Sequence, residues 1–156
     1  MVNKSKNVGT AAETAIVRAA RTRGFPGADR LTLTGHKDRG DIGLCPGVII
    51  EAKGGQQAKT ASDALIAKWL AETETGRINA GAAIGFLVTQ RPGIGLPNAH
   101  RWWAHLTVHT FLTLLGATHA VTPPNPDTPL RMTLDSALAL LRAAGYGNQH
   151  DQEDPA

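Results

Sequence analysis

Few of the residues that fasten small proteins together occur in this chain. One cysteine, Cys45, stands among 156 residues, so an intrachain disulfide and a cysteine-built zinc site are both excluded. Aromatic residues make up only 4%, which leaves Ala, Val, Ile and Leu to build the core. No apolar run reaches the roughly 18 residues that cross a bilayer. The opening stretch, MVNKSKNVGTAAE, carries no apolar signal segment. A soluble cytoplasmic protein is the expectation. The apolar fraction of 42% is too high for a disordered chain, and the length favours one domain.

Basic residues are concentrated in the first third and missing from the last nine positions. Residues 1–59 hold ten Lys/Arg against five Asp/Glu, whereas residues 60–147 hold six against five. The last nine, NQHDQEDPA, carry three acids and no lysine or arginine. A basic first third suits a polyanion such as nucleic acid, and equally suits a solubilising surface.

Periodicity divides the chain into elements. Residues 1–8 are polar and read as a mobile basic arm. Ala12, Ala15, Ile16, Ala19 and Ala20 recur at helical spacing over 9–23, with Thr10 and Glu13 spaced as a capping box and Gly24 as the stop. Alternation predicts a strand over 31–34. A polar glycine-bounded loop follows over 35–40. Residues 41–44 and 48–53 flank Cys45-Pro46-Gly47 as a hairpin. A helix is expected over 62–75, with Leu65, Ile66, Trp69 and Leu70 as its apolar stripe and Thr60 or Ser62 as its cap. Strands are expected over 82–90 and 100–106, and a short helix over 108–115. The proline-rich run 120–132 reads as a surface crossing. Thr133 should cap a last helix within 133–146, ahead of an acidic disordered tail, 147–156. The order implies a mixed α/β class with one central sheet.

The hairpin carries the chemistry. A three-residue turn, 45–47, would pair Leu44 with Val48 and set Asp41 opposite Glu51. A two-residue Pro-Gly turn would break this alignment and is disfavoured, because ordinary type I or II turns fit hairpin twist poorly. Directly opposed residues share a sheet face with Cβ atoms about 5 Å apart, and Lys53 shares that face by alternation. Two opposed carboxylates repel unless neutralised. A hard divalent cation with oxygen ligands and open water positions, such as Mg²⁺, does this. Lys53 beside them can orient a water or stabilise charge on a phosphoryl oxygen. This is equipment for metal-assisted phosphodiester hydrolysis. An exposed strand edge with a salt cluster is the plainer alternative.

His105 and His109 are four apart but lack the glutamate of a zinc hydrolase, and a strand-to-helix change is expected between them. Trp102 and Trp103 should face opposite ways on their strand. Trp69 fits a helix core.

The series Gly9-x-x-x-Glu13, a basic helix, Gly24-Phe25, Gly40-Asp41-Ile42 and Ile50-Glu51-Ala52-Lys53 resembles the PD-(D/E)XK nuclease superfamily. Within it, the chain is most similar to the archaeal-type Holliday junction resolvases and their phage relatives, over roughly residues 9–115, within a nuclease core domain expected over 9–119. The resemblance implies a restriction-endonuclease-like core, a mixed sheet flanked by helices. It implies a catalytic set of Glu13, Asp41, Glu51 and Lys53, with Mg²⁺ or Mn²⁺ on Asp41, Glu51 and Glu13. Gln56 or Gln57 would contribute from the helix after the E-x-K. Gly40 replaces the proline that many members carry before the Asp. The activity implied is that of an endonuclease on branched DNA in recombination, acting as a homodimer in the cytoplasm, a host's if the gene is a phage's. DNA would lie on Arg18, Arg21, Arg23, His36, Lys37, Arg39 and Gln57, or failing those on Arg77, Arg91 and Arg101. A restriction or repair nuclease on linear or damaged DNA, and a non-catalytic DNA-binding module of the same fold, are the alternatives.

Overall fold

A computed structural model describes residues 4–32, 35–119 and 122–148. Six strands form one sheet in sequence order: β1 (Asp29–Arg30), β2 (Ile42–Cys45), β3 (Val48–Lys53), β4 (Ile84–Thr89), β5 (Trp103–Thr107) and β6 (Pro129–Thr133). Only β3 and β4 run parallel. Parallel neighbours need a crossover. Here it is made by α2 (Gly55–Lys59) and α3 (Asp63–Ala80). Helix α1 (Lys4–Arg21) opens the chain, α4 (Val108–Leu114) follows β5, and α5 (Leu134–Ala143) follows β6.

Each face of the sheet has its own apolar layer. Ile16 and Ala20 of α1 and Leu138 and Leu141 of α5 pack with Ile42, Val48, Ile50, Phe86 and Val88 on one face. On the other, Ile66, Trp69 and Leu70 of α3 cover Leu87. Strand alternation therefore turns Ile50 and Ala52 towards α1, and Glu51 and Lys53 towards α3.

The hairpin keeps its expected pairing by an unexpected route. The turn has two residues, not three: Cys45 pairs with Val48 around Pro46-Gly47, and Gly47 takes a positive φ of 86°. A two-residue turn alone would slip the register by one. A bulge between Gly43 and Cys45 absorbs Leu44 and restores Gly43 opposite Ile49 and Ile42 opposite Ile50.

Several expectations are corrected. Residues 4–8 are no mobile arm but the first turns of α1; residues 1–3 lie outside the described residues. Thr10 and Glu13 thus sit inside the helix and form no capping box. The helix extends because its start docks on the chain after β3: a Cβ at Gly55 would lie 2.9 Å from Val8 Cγ1. The strand expected over 31–34 lies at Asp29–Arg30, and residues 33–34 are not described. Residues 96–101 form a 3₁₀ helix before β5, entered through Pro97. The proline-rich crossing 120–132 ends in strand β6, so the sheet continues past residue 119. Pro129 is tolerated at the first position of this edge strand, where its missing N–H breaks no ladder. Thr133 does cap α5, accepting from Ser136 N–H. Residues 147–148 are packed rather than disordered, since the Asn148 N–H donates to Gly24 O at 2.8 Å. The rest of the acidic tail, 149–156, lies outside the described residues.

Candidate active site

Asp41 precedes β2 and is fixed to β3 twice. Its N–H donates to Ile50 O (3.0 Å) and its Oδ2 accepts from Ala52 N–H (2.8 Å). Its own carbonyl accepts from Leu31 N–H. Glu51, on β3, is only 6% exposed. Its Oε1 lies 3.2 Å from Lys53 Nζ, while its Oε2 is buried with no hydrogen-bond partner among the described residues. Lys53 Nζ also meets Glu72 Oε2 of α3 at 3.5 Å and lies 5.6 Å from the centre of the Trp69 ring. Asp41, Glu51 and Lys53 thus converge.

The electrostatics follow from this packing. Burial, and then the Asp41 carboxylate, push Glu51 up to about 7. Burial also raises Asp41, against the Ala52 N–H that stabilises its charged form. Burial pulls Lys53 down, but the Glu51 and Glu72 carboxylates outweigh it and hold the ammonium above its usual range.

Glu13, on α1, lines the same cleft as Asp41. Its charge is felt there and adds to the rise of the Asp41 pKa. Its Oε2, however, accepts from Arg30 Nε at 2.7 Å. Among the described residues, no three His, Cys, Asp or Glu side chains are close enough together to hold a metal ion. The Asp41 carboxylate acts electrostatically on Glu51, while Glu13 is engaged by Arg30 and Glu72 by Lys53.

The basic residues divide into two sets. Lys6, Arg30, Lys37 and Arg39 line a cleft of about 670 Å³ that ends on Glu13 and Asp41. Arg21 and Arg23 are engaged within the chain: Arg21 with Ala28 O and Asp29, Arg23 with Ala19 O and Asp135. Arg18 is exposed on α1, beside a separate groove shared with Arg23 and His100. His36 is exposed in its loop, and Gln56 and Gln57 are exposed on α2. His105 lies in β5 and His109 in α4, with the expected change of element between them.

Sequence reasoning overlooked Glu72, Arg30 and Asp38, and read Trp69 as core alone. The signal for Glu72 was its place three residues after Trp69, on the adjoining turn of α3. No helix among the described residues is long and apolar enough to cross a membrane. Comparison with family models, curated proteins and solved structures finds no match for this chain.

Proposed function

We propose that the chain is a metal-dependent endonuclease with a restriction-endonuclease-like core, hydrolysing phosphodiester bonds in DNA, with branched DNA as its substrate. The observation that carries this reading is the Asp41–Glu51 pair, with a buried, unpartnered Glu51 oxygen beside Lys53. Buried carboxylate oxygens are almost always hydrogen-bonded, and two adjacent carboxylates favour a cation between them. The donor set is all oxygen, which suits Mg²⁺ or Mn²⁺ rather than softer metals. Asp41 and Glu51 would hold the ion, and Glu13 would join them on leaving Arg30.

A bound ion of this kind supplies Lewis acidity towards a phosphoryl oxygen. Lys53, kept protonated by two carboxylates, donates hydrogen bonds to a non-bridging phosphoryl oxygen and stabilises charge that grows there. Glu72 and Trp69 hold the ammonium in place. Lys37 and Arg39 at the cleft rim attract the backbone. Cutting two strands symmetrically takes two such sites, hence two copies of the chain.

The test is cleavage of a labelled four-way junction and of a linear duplex of the same sequence, in Mg²⁺ or Mn²⁺. Metal-dependent cutting of the junction is expected. Asp41→Asn and Glu51→Gln should abolish it and weaken Mn²⁺ binding in calorimetry. Lys53→Ala should slow cutting by roughly a hundredfold while DNA binding holds. Preference for the linear duplex would replace the resolvase reading with a restriction or repair nuclease. Binding without cutting in either metal would leave a non-catalytic module.

A further inference from the structure

We propose that Arg91, Trp103 and Arg131 form a second phosphate-binding surface, on the sheet face that carries Lys53, and that it takes the backbone of a nucleic-acid strand. The inference deepens the nuclease reading and rests on it for the identity of the ligand.

Lys53 pairs with Thr89 across β3 and β4, and Thr89 pairs with Trp103 across β4 and β5. Paired residues share a face, so the three side chains form one row, with Trp103 two strand spacings, or about 10 Å, from Lys53. Arg131 lies one row along, opposite His105. Thr89, Trp103, His105 and Arg131, with Lys59 and Asp63, border a groove of about 660 Å³ between the sheet and the start of α3.

Two guanidiniums are held on the Trp103 ring. Arg91 Cζ lies 3.9 Å and Arg131 Cζ 4.3 Å from its centre. Arg91 reaches it from the loop just after β4, and Arg131 from β6. Among the described residues neither arginine has a carboxylate partner. Among the described residues, Arg91 donates a hydrogen bond only to Arg101 O, at 3.3 Å. Stacking fixes both planar forks without neutralising them. A fork fixed in this way loses little freedom on gripping a phosphate through two parallel N–H bonds. Lys59 adds a third positive charge against the single Asp63. A row of fixed cations leading away from Lys53 matches a polyanionic strand better than a small anion, which would need only one of them.

The test is fluorescence anisotropy of a fluorescein-labelled single-stranded DNA, in chelator so that nothing is cut, over a range of salt. The Arg91→Gln/Arg131→Gln variant should bind about tenfold or more weakly, and its slope of log affinity against log salt should be flatter by about 1.4, the single-strand value for two phosphate contacts. The double lysine variant should keep the slope and lose part of the affinity. Arg131 is exposed, so Arg131→Glu gives a separate variant in which binding should also fall. Unchanged affinity and slope in these variants, or no DNA binding by the wild type, would overturn the proposal. If no metal supports cutting but the arginine pair governs binding, the nuclease reading falls and this surface stands. If DNA is cut and the pair affects neither binding nor slope, the reverse holds.

Discussion

Two buried titratable side chains on the α3 face behave in opposite ways because their partners differ. Glu51 has one oxygen on Lys53 and one with no hydrogen-bond partner among the described residues. Its charge is costly until something cationic arrives, which is the behaviour of a ligand-binding group more than of a structural one. His105 is satisfied, its Nε2 lying 2.9 Å from the Thr89 hydroxyl. Burial first, and the Arg131 charge second, lower its pKa to about 4. The sign of the consequence is fixed: between about pH 4 and 6.5 the unfolded chain binds a proton at this histidine and the folded one does not. The stabilisation is therefore complete above about pH 6.5 and is lost as pH falls towards 4, by about 1.4 kcal/mol per unit. Urea denaturation of wild type and His105→Gln over that range should show a shallower pH dependence in the variant. Parallel curves would mean that His105 titrates normally in the fold.

At the scale of elements, the site depends on how closely α3 approaches the loop before β2. Gly76 faces Gly40, and a Cβ there would lie 3.0 Å from Gly40 N and 3.4 Å from Arg39 C, both backbone atoms with little room to yield. Two effects compete in Gly76→Ala. Helix propensity favours alanine by about 1 kcal/mol, whereas forcing extra volume into a packed contact costs about 1–3 kcal/mol. The contact should win, so the variant should melt lower. Because Gly40 leads directly into Asp41, cutting should slow as well. A variant that melts higher and cuts at the wild-type rate would show that the loop moves aside freely. The bulge at Leu44 belongs to the same scale: without it, a two-residue turn would move Asp41 off the face of Glu51.

For the molecule as a whole, the basic charge of the first third is unevenly available. Lys37 and Arg39 are exposed at the rim of the cleft over Asp41, whereas Arg21 and Arg23 are already paired with Asp29 and Asp135. Neutralising Lys37 and Arg39 together should flatten the salt slope of DNA binding by about 2, since each phosphate contact releases condensed counterions. Neutralising Arg21 and Arg23 should flatten it by clearly less. Equal effects would mean that those two pairs open on binding and that the α1 surface meets DNA as well.

Much of the architecture could be read without coordinates, for local reasons. Apolar runs and their bounding glycines and prolines mark β3, β4 and α4. Ser62 and Thr133 mark helix starts by offering an oxygen to free N–H groups. Alternation alone put Glu51 and Lys53 on one face, and the opposition of Asp41 to Glu51 was expected through the wrong turn but the right pairing. What depends on contacts distant in sequence was not legible. The first turns of α1 form where Val8 meets Gly55, and β6 exists because β5 offers an edge. Glu72 reaches Lys53 only when α3 folds back over β3 and β4. The Arg91–Trp103–Arg131 stack needs β5 and β6 side by side, with the loop after β4 beside them. Sequence by itself determined which residues could pair, cap and alternate, because those are matters of near neighbours. Only the tertiary structure decided which charges were neutralised and which were left facing a cleft, because that depends on what packs against them.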